Sequence, residues 1–259
     1  MSIHFKKVIY SLCNQFKLHD NDGMPYTSII EENESGLLVK PTKNNSYQSY
    51  VLLSILTESI LNLAEHLYGV CETYYSTCPD IGSDYALEEY RNYFLQQGKS
   101  LDDVRSIQLN RSFISMTKKG SYAVFVSNAA TNWESVFYEL CHECIHLLSP
   151  ATGDLKNEVQ RLDEGVAVKF AEAQYRKYIT PYTYSHPTYS PLTSQPNGQY
   201  STSYKYANKI PDEKLKEVRL AFGSFWSVTD KDKFMSIVGN YITEEEADYL
   251  LSKFDYNIP

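Results

Sequence analysis

The sequence predicts an α+β fold that is mostly helical, with a small sheet directly before one prominent helix and two lobes around a cleft. Three observations predict it. Apolar residues recur at helical spacing over most of the chain. Between residues 104 and 127 this spacing gives way to short runs rich in β-branched and aromatic residues, which are typical of strands. At 259 residues the chain is long enough to bury a sizeable core.

Charge and composition argue against several classes of function. The net charge of −8 disfavours nucleic-acid binding as the main activity, because a phosphate backbone requires a basic surface. No apolar run approaches the length of a membrane span, and Lys6 and Lys7 interrupt the N-terminal stretch where a signal peptide would lie. The 5 cysteines are scattered without a C-x-x-C pair, which suits reduced thiols. We therefore expect a cytoplasmic protein with no nucleic-acid or membrane partner.

The first 127 residues predict a helical lobe with a small sheet. Helices are expected from Phe5 to Phe16, from Ser46 to Tyr68 and from Ser83 to Gln97, and strands at residues 104–109, 113–117 and 122–127. The run Tyr122–Val126 is interpreted as an edge strand, because such a strand beside a catalytic cleft can pair with an extended peptide.

Residues 128–259 predict one functional unit, which comprises a first long helix, a second helix with a candidate metal ligand, and a helical C-terminal lobe. The first helix spans residues 131–149. Thr131 and Glu134 have the spacing of a capping box, and Pro150 ends the segment. Apolar residues at helical spacing give it a side to bury, and we expect Cys141 and Cys144 to belong to that buried side rather than to bind a metal.

This helix contains His142-Glu143-Cys144-Ile145-His146, the H-E-x-x-H pattern. Positions four apart lie one above the other on a helix, so His142 and His146 project together and can bind one zinc ion at about 2.0–2.1 Å. Glu143 lies about 100° round the helix, beside the metal but not on it. There it is placed to take a proton from a zinc-bound water, whose pKa the metal lowers towards about 7.

A catalytic zinc site needs a third protein ligand. A third histidine at the metzincin position is excluded, because Thr152 stands where that pattern requires it. A second helix is expected from Asn157 to Ala173, and Glu164 lies in it, followed by the small residues Gly165 and Ala167. We interpret these small residues as letting two helices approach closely enough to share one ion. Asp154 is the rival ligand, because Ala151-Thr152-Gly153-Asp154 is loosely similar to the Gly-Thr-x-Asp of aspzincins.

The two blocks together resemble the gluzincin metallopeptidases. In that family H-E-x-x-H lies on one helix and Glu-Gly-x-Ala on the next, and Leu162–Ala167 is similar to the Leu-Asn-Glu-Gly-x-Ala block of the aminopeptidase-N-like branch. The resemblance covers residues 130–175. It implies His142, His146 and Glu164 as zinc ligands and Glu143 as general base.

The chain also departs from the family. Val168 stands where thermolysin-like enzymes have an Asp that orients a ligand histidine, so the orienting group stays open. No Gly-x-Met-Glu-Asn motif is present, so aminopeptidase activity does not follow from the resemblance.

The segment from Tyr178 to Tyr206 is rich in tyrosine and proline, and we expect it to be ordered but without regular secondary structure, as a lid over the cleft or as a linker. Its end, from Tyr200 to Ala207, weakly resembles the helix start that supplies the oxyanion-binding tyrosine of aminopeptidase-N-like enzymes. Tyr204 is the candidate for that role, and His186 is the alternative.

Three further helices are expected at residues 212–226, 229–238 and 243–254, with capping pairs at Thr229/Asp232 and Thr243/Glu246. The chain as a whole predicts zinc-dependent hydrolysis of peptide bonds, with a peptide or protein as substrate. The alternatives are a non-catalytic zinc-binding module of the same type, acting in binding or regulation, and a metal-free helical interaction protein.

Overall fold

The structure, a computed structural model of the chain, describes residues 3–19, 22–28, 47–71, 80–81, 91–92, 95–96, 98, 100–101, 112–116, 121–127, 132–151, 158–184, 186–188 and 190–256. These residues confirm a mostly helical α+β fold with a small sheet before the helix of the H-E-x-x-H pattern. In chain order the elements are α1 (Ile3–Phe16), α2 (Tyr47–Tyr68), β1 (Asp80–Ile81), β2 (Phe113–Met116), β3 (Tyr122–Val126), α3 (Trp133–Leu147), α4 (Arg161–Tyr178), α5 (Thr180–Thr183), α6 (Pro191–Ser194), α7 (Gln199–Ala207), α8 (Asp212–Phe222), α9 (Lys231–Val238) and α10 (Glu244–Leu251).

The sheet has three strands in the order β1-β3-β2. Strands β2 and β3 are antiparallel, with Phe113 opposite Phe125, and β1 is parallel to β3, with Asp80 opposite Phe125. The prediction that β3 is an edge strand is therefore wrong for the strands that the structure describes. A strand of two residues carries no periodicity, so β1 gave no signal in the sequence. The expected strand at 104–109 and most of the expected helix at 83–97 lie outside the described residues.

The chain separates into two compact units, one of residues 1–59 and 75–140, the other of residues 60–74 and 141–259. In the first unit, the apolar face of α1 is buried at Val8, Ile9 and Leu12, as the spacing predicts. The rings of Phe113 and Phe125 stack at 5.1 Å between their centroids. The division at residue 127 expected from the sequence concerns functional lobes and stays a prediction.

Helix α4 is the centre of the second unit, because most of its residues are buried. Arg219 is also buried there, and its guanidinium donates to the carbonyl oxygens of Tyr68, Val70 and Leu148 at 3.2, 3.0 and 2.6 Å. These carbonyls lie at or just after the ends of α2 and α3, where no further helical turn can satisfy them. Arg219 therefore links the ends of two helices, and the three carbonyl oxygens stabilise its buried positive charge.

The helix caps differ in part from those expected. The expected cap Thr131 lies outside the described residues, and the side chain of Asn132 accepts from the backbone N–H of Ser135 at 2.8 Å at the start of α3. Helix α9 is capped by Asp230 and not by Thr229, so that prediction is wrong. The capping box of Thr243 and Glu246 on α10 is confirmed.

The prediction of no regular secondary structure for residues 178–206 relied on their many prolines. Three helices, α5, α6 and α7, occupy most of this segment, so the expectation of no regular structure is wrong. Pro181 and Pro191 lie in the first turn of α5 and α6, where the missing N–H costs no hydrogen bond. The structure describes every residue of this segment except 185 and 189.

Among the described helices, none has both the length and the apolar character needed to cross a bilayer.

Candidate metal centre

Helix α3 brings the two histidines of the H-E-x-x-H pattern together. His142 and His146 are one turn apart, and their ring centroids lie 5.0 Å from each other. Their Nε2 atoms are 3.2 Å apart, and both side chains are largely buried, with 14% and 13% of their surface exposed. As the four-residue spacing predicts, the two histidines project together, and their Nε2 atoms point to the same place.

The third member of the group comes from the first turn of α4. Glu164 Oε2 lies 3.1 Å from His142 Nε2 and 3.6 Å from His146 Nε2, and the side chain is only 3% exposed. His142, His146 and Glu164 form a group that could hold a metal ion. Asp154, the rival ligand, lies outside the described residues.

The three donor atoms fit a tetrahedral ion. Bonds of about 2.0–2.1 Å give a tetrahedron with edges of about 3.3–3.4 Å. The three separations, 3.1, 3.2 and 3.6 Å, lie on both sides of that value. In their common plane, the point equidistant from the three atoms is about 1.9 Å from each, so these three residues would hold an ion at bonding distance.

Glu164 Oε2 gives an independent reason to expect a cation. Within the part of the chain that the structure describes, it is a buried oxygen without a hydrogen bond of acceptable geometry, although His142 Nε2 is 3.1 Å away. A buried carboxylate oxygen left in this way is costly unless a cation compensates it. Two imidazole nitrogens and one carboxylate oxygen are a donor set that suits zinc.

Asp163 orients one of the histidines, which the sequence interpretation did not foresee. His146 Nδ1 lies 2.7 Å from Asp163 Oδ2, and the Asp163 side chain is nearly buried. When Nδ1–H donates a hydrogen bond to this carboxylate, the neutral imidazole has its lone pair on Nε2, the nitrogen that faces His142 and Glu164. The group that was left open at Val168 is thus supplied by the residue immediately before Glu164. The acidic residue directly before Glu164 was the feature of the sequence that could have indicated this contact.

Tyr256 is a second residue that sequence reasoning missed. Its phenol donates to Glu164 Oε1 at 2.6 Å, so one carboxylate oxygen is hydrogen-bonded while the other faces the histidines. The tyrosine follows the last helix and lies 92 positions from Glu164 in sequence. No local pattern could have identified such a contact.

Aromatic rings line one side of the group. The ring of Tyr200, on α7, is edge-on to His142, with centroids 6.2 Å apart. Tyr200 also lies 4.7 Å from Phe254, whose ring is 4.9 Å from that of Tyr256. These rings form an aromatic cluster beside His142.

The remaining candidates have different positions. Glu143 is 5% exposed and directly follows His142 on α3. Tyr204 lies one turn after Tyr200 on α7 and is half-buried; among the described contacts, none joins its phenol to the three ligands. His186, the alternative to Tyr204, is exposed.

Cys141 and Cys144 are fully buried, and burial raises the pKa of both thiols, which confirms them as core residues.

Opposite charges face each other in the group. Burial lowers the pKa of both histidines, but the carboxylates outweigh it: Glu164 holds the pKa of His142 above its usual value, and Glu164 with Asp163 holds that of His146 well above. Burial raises the pKa of Glu164, yet the two imidazoles hold it well below its usual range. The same electrostatics favours a metal cation, which competes with protons for the two nitrogens.

Gly165 allows a helix to pass close to the ligand Glu164, but the helix is not the one expected. A Cβ atom at this position would lie 2.7 Å from the carbonyl oxygen of Ser203 and 3.1 Å from the Cβ of Ala207. Both residues belong to α7. The interpretation that Gly165 lets the two ligand-bearing helices approach is therefore wrong, because the close approach at Gly165 is between α4 and α7.

Comparisons with known proteins give no match: no family model, no curated protein and no solved structure is similar to the chain.

Proposed function

We propose that this protein is a zinc-dependent peptide hydrolase of the gluzincin type. The observation that carries the proposal is the convergence of His142 Nε2, His146 Nε2 and Glu164 Oε2, with separations of 3.1 to 3.6 Å. A shared metal ion explains why two histidines lie four positions apart on one helix and point to the same place. Glu164 follows on the next helix, as in the gluzincin pattern. The predicted two lobes around a zinc cleft and the cytoplasmic location stay predictions.

The roles of the residues follow from their chemistry. When bound, zinc would supply a Lewis acid that acidifies water and polarises the peptide carbonyl. His142 and His146 would bind it through Nε2 and Glu164 through Oε2, which leaves a fourth position for solvent or substrate. Glu143 is the general base: it takes the proton from the attacking water and delivers it to the leaving amine.

The alternative is a zinc-binding module without catalysis, acting in binding or regulation. The same three ligands support it, and the difference lies in Glu143. A binding module has no use for a carboxylate beside the metal, whereas hydrolysis depends on it. A metal-free interaction protein gives no role to the convergence of His142, His146 and Glu164.

Zinc content tests the first half of the proposal. We expect close to one zinc per chain in protein purified without added metal, and loss of that zinc in the His142→Ala, His146→Ala double variant. His66→Ala is the matched control, because His66 is an exposed histidine at the end of α2 and should leave the zinc content unchanged. Full zinc occupancy in the double variant would refute the assignment. Glu164→Ala should also weaken zinc binding and Asp154→Ala should not; the reverse result would favour the aspzincin pattern.

Hydrolysis tests the second half. A mixed peptide library is incubated with the zinc-loaded protein, and the products are identified by mass spectrometry. Glu143→Gln keeps the size of the side chain but removes the proton acceptor, so zinc should stay bound while cleavage falls by about 10²–10⁴-fold. Cleavage at the parental rate in Glu143→Gln would contradict the mechanism. Zinc binding by the parent without cleavage of any peptide would favour the binding module.

A further inference from the structure

The C-terminal segment Ser252–Tyr256, called here the C-terminal strap, is bound to the start of α4. The N–H of Arg161 donates to the carbonyl oxygen of Ser252 at 2.9 Å, and the N–H of Phe254 donates to that of Val159 at 2.8 Å. Gln160 and Lys253 pair between them as an isolated antiparallel bridge. The strap therefore runs antiparallel to the residues that lead into the helix carrying Glu164.

A side chain from α7 fixes the strap a second time. Gln199 Nε2 donates to the carbonyl oxygen of Asp255 at 3.0 Å, and Gln199 Oε1 accepts from the N–H of the same residue at 3.2 Å. The guanidinium of Arg161 donates to the same Oε1 at 3.2 and 3.3 Å. Because one amide binds both backbone groups of Asp255, the register of the next residue is defined.

That next residue is Tyr256, whose phenol reaches Glu164 Oε1 at 2.6 Å. A hydrogen bond from O–H to a carboxylate is among the stronger kinds, and here the acceptor is nearly fully buried. With Oε1 held, rotation of the carboxylate is restricted, and Oε2 is the oxygen presented to the two histidines. Without the phenol, the carboxylate can rotate or offer both oxygens to an ion.

We infer that Tyr256 is a positioning residue of the metal centre, and that the C-terminal strap sets zinc affinity by holding Glu164 in a one-oxygen orientation. The inference rests on the metal site of the proposed function and adds a role for a segment outside the H-E-x-x-H and Glu-Gly blocks. It makes the metal centre dependent on the C-terminal residues of the described chain as well as on α3 and α4.

The test is zinc affinity of the full-length chain, measured by competition with a chromogenic chelator. Tyr256→Phe keeps the ring beside Phe254 and removes only the hydroxyl, so we expect zinc binding to weaken by about 10–100-fold, as for other groups that orient a ligand. Tyr184→Phe is the matched control: its side chain is 91% exposed, so loss of this hydroxyl should leave the affinity unchanged.

A second measurement separates positioning from general stability. In excess chelator Tyr256→Phe should melt lower than the parent, because a buried carboxylate oxygen loses its donor; the positioning role predicts in addition that zinc raises its melting temperature less than it raises that of the parent. Gln199→Met, which leaves the phenol and all ligands in place but releases Asp255, should give a smaller loss of affinity. Parental affinity in both variants overturns the role of the strap and leaves the metal site intact. A parent that binds no zinc overturns the metal site itself, and the inference with it.

Discussion

The close contact at Gly165 allows a prediction whose size follows from the structure. In Gly165→Ala the new methyl would lie 2.7 Å from the Ser203 carbonyl oxygen, 2.9 Å from its carbonyl carbon and 3.1 Å from the Ala207 Cβ. Ordinary contacts begin at 3.4 Å, so the nearest contact is about 0.7 Å too short. Two of the three atoms are backbone, so no rotamer change relieves them, and α7 has to move as a whole.

Two opposing free energies decide the outcome. Replacing a mid-helix glycine by alanine favours the helix by about 1 kcal/mol. Overpacking of a well-packed contact costs about 1–3 kcal/mol, and a backbone obstacle places this case in the upper half of that range. The net expectation is a free energy of unfolding lower by about 1–2 kcal/mol. Because α7 also carries Tyr200, whose ring is beside His142, zinc binding should weaken as well.

Urea unfolding in excess chelator measures the stability without a contribution from metal. Ala173→Gly is the control, because Ala173 is an exposed position of the same helix and reports the helix propensity alone, with an expected loss of about 0.5–1 kcal/mol. If Gly165→Ala is as stable as the parent, or more stable, while Ala173→Gly loses the expected amount, then α4 and α7 are not in tight contact and the reasoning is refuted.

Three further predictions concern Asp163, the N-terminal cap of α10 and Tyr204. Asp163→Asn removes the charge beside His146 Nδ1 and should weaken zinc binding by about 10–100-fold in the chelator competition assay; parental affinity would show that the charge of Asp163 does not contribute to zinc binding. Thr243→Ala removes the cap of α10 and should lower the free energy of unfolding by about 1 kcal/mol in urea, and an unchanged midpoint would contradict the capping box. Tyr204→Phe should lower peptide turnover by about 10²–10³-fold with little change in substrate binding if its phenol binds the oxyanion, and a normal rate would exclude this residue.

The part of the centre that could be predicted is the part encoded locally. His142 and His146 are one helical turn apart, so their convergence depends only on helix formation, which the apolar spacing of residues 131–149 predicts. Glu164 was predicted from its place in a second helix after a short connection. Both predictions concern residues within a short stretch of chain, where secondary structure determines the direction of a side chain.

The part that could not be predicted depends on contacts between distant segments. Tyr256 meets Glu164 only because the C-terminal strap pairs with the residues before α4, and no periodicity encodes that pairing. The partner of Gly165 was assigned wrongly for the same reason, since a small residue indicates a close approach but not which helix approaches. The strand β3 was taken for an edge because its two-residue neighbour β1 is too short to show a pattern.

Asp163 and Glu164 are adjacent in sequence, and both contact the imidazole of His146. Consecutive residues of a helix point about 100° apart, so the two carboxylates cannot bind the same atom. They instead meet opposite ends of the His146 imidazole, Asp163 at Nδ1 (2.7 Å) and Glu164 near Nε2 (3.6 Å). Both lie in the first turn of α4, where the helix dipole stabilises negative charge. Asp163 and Glu164 therefore place negative charge on both sides of the same imidazole.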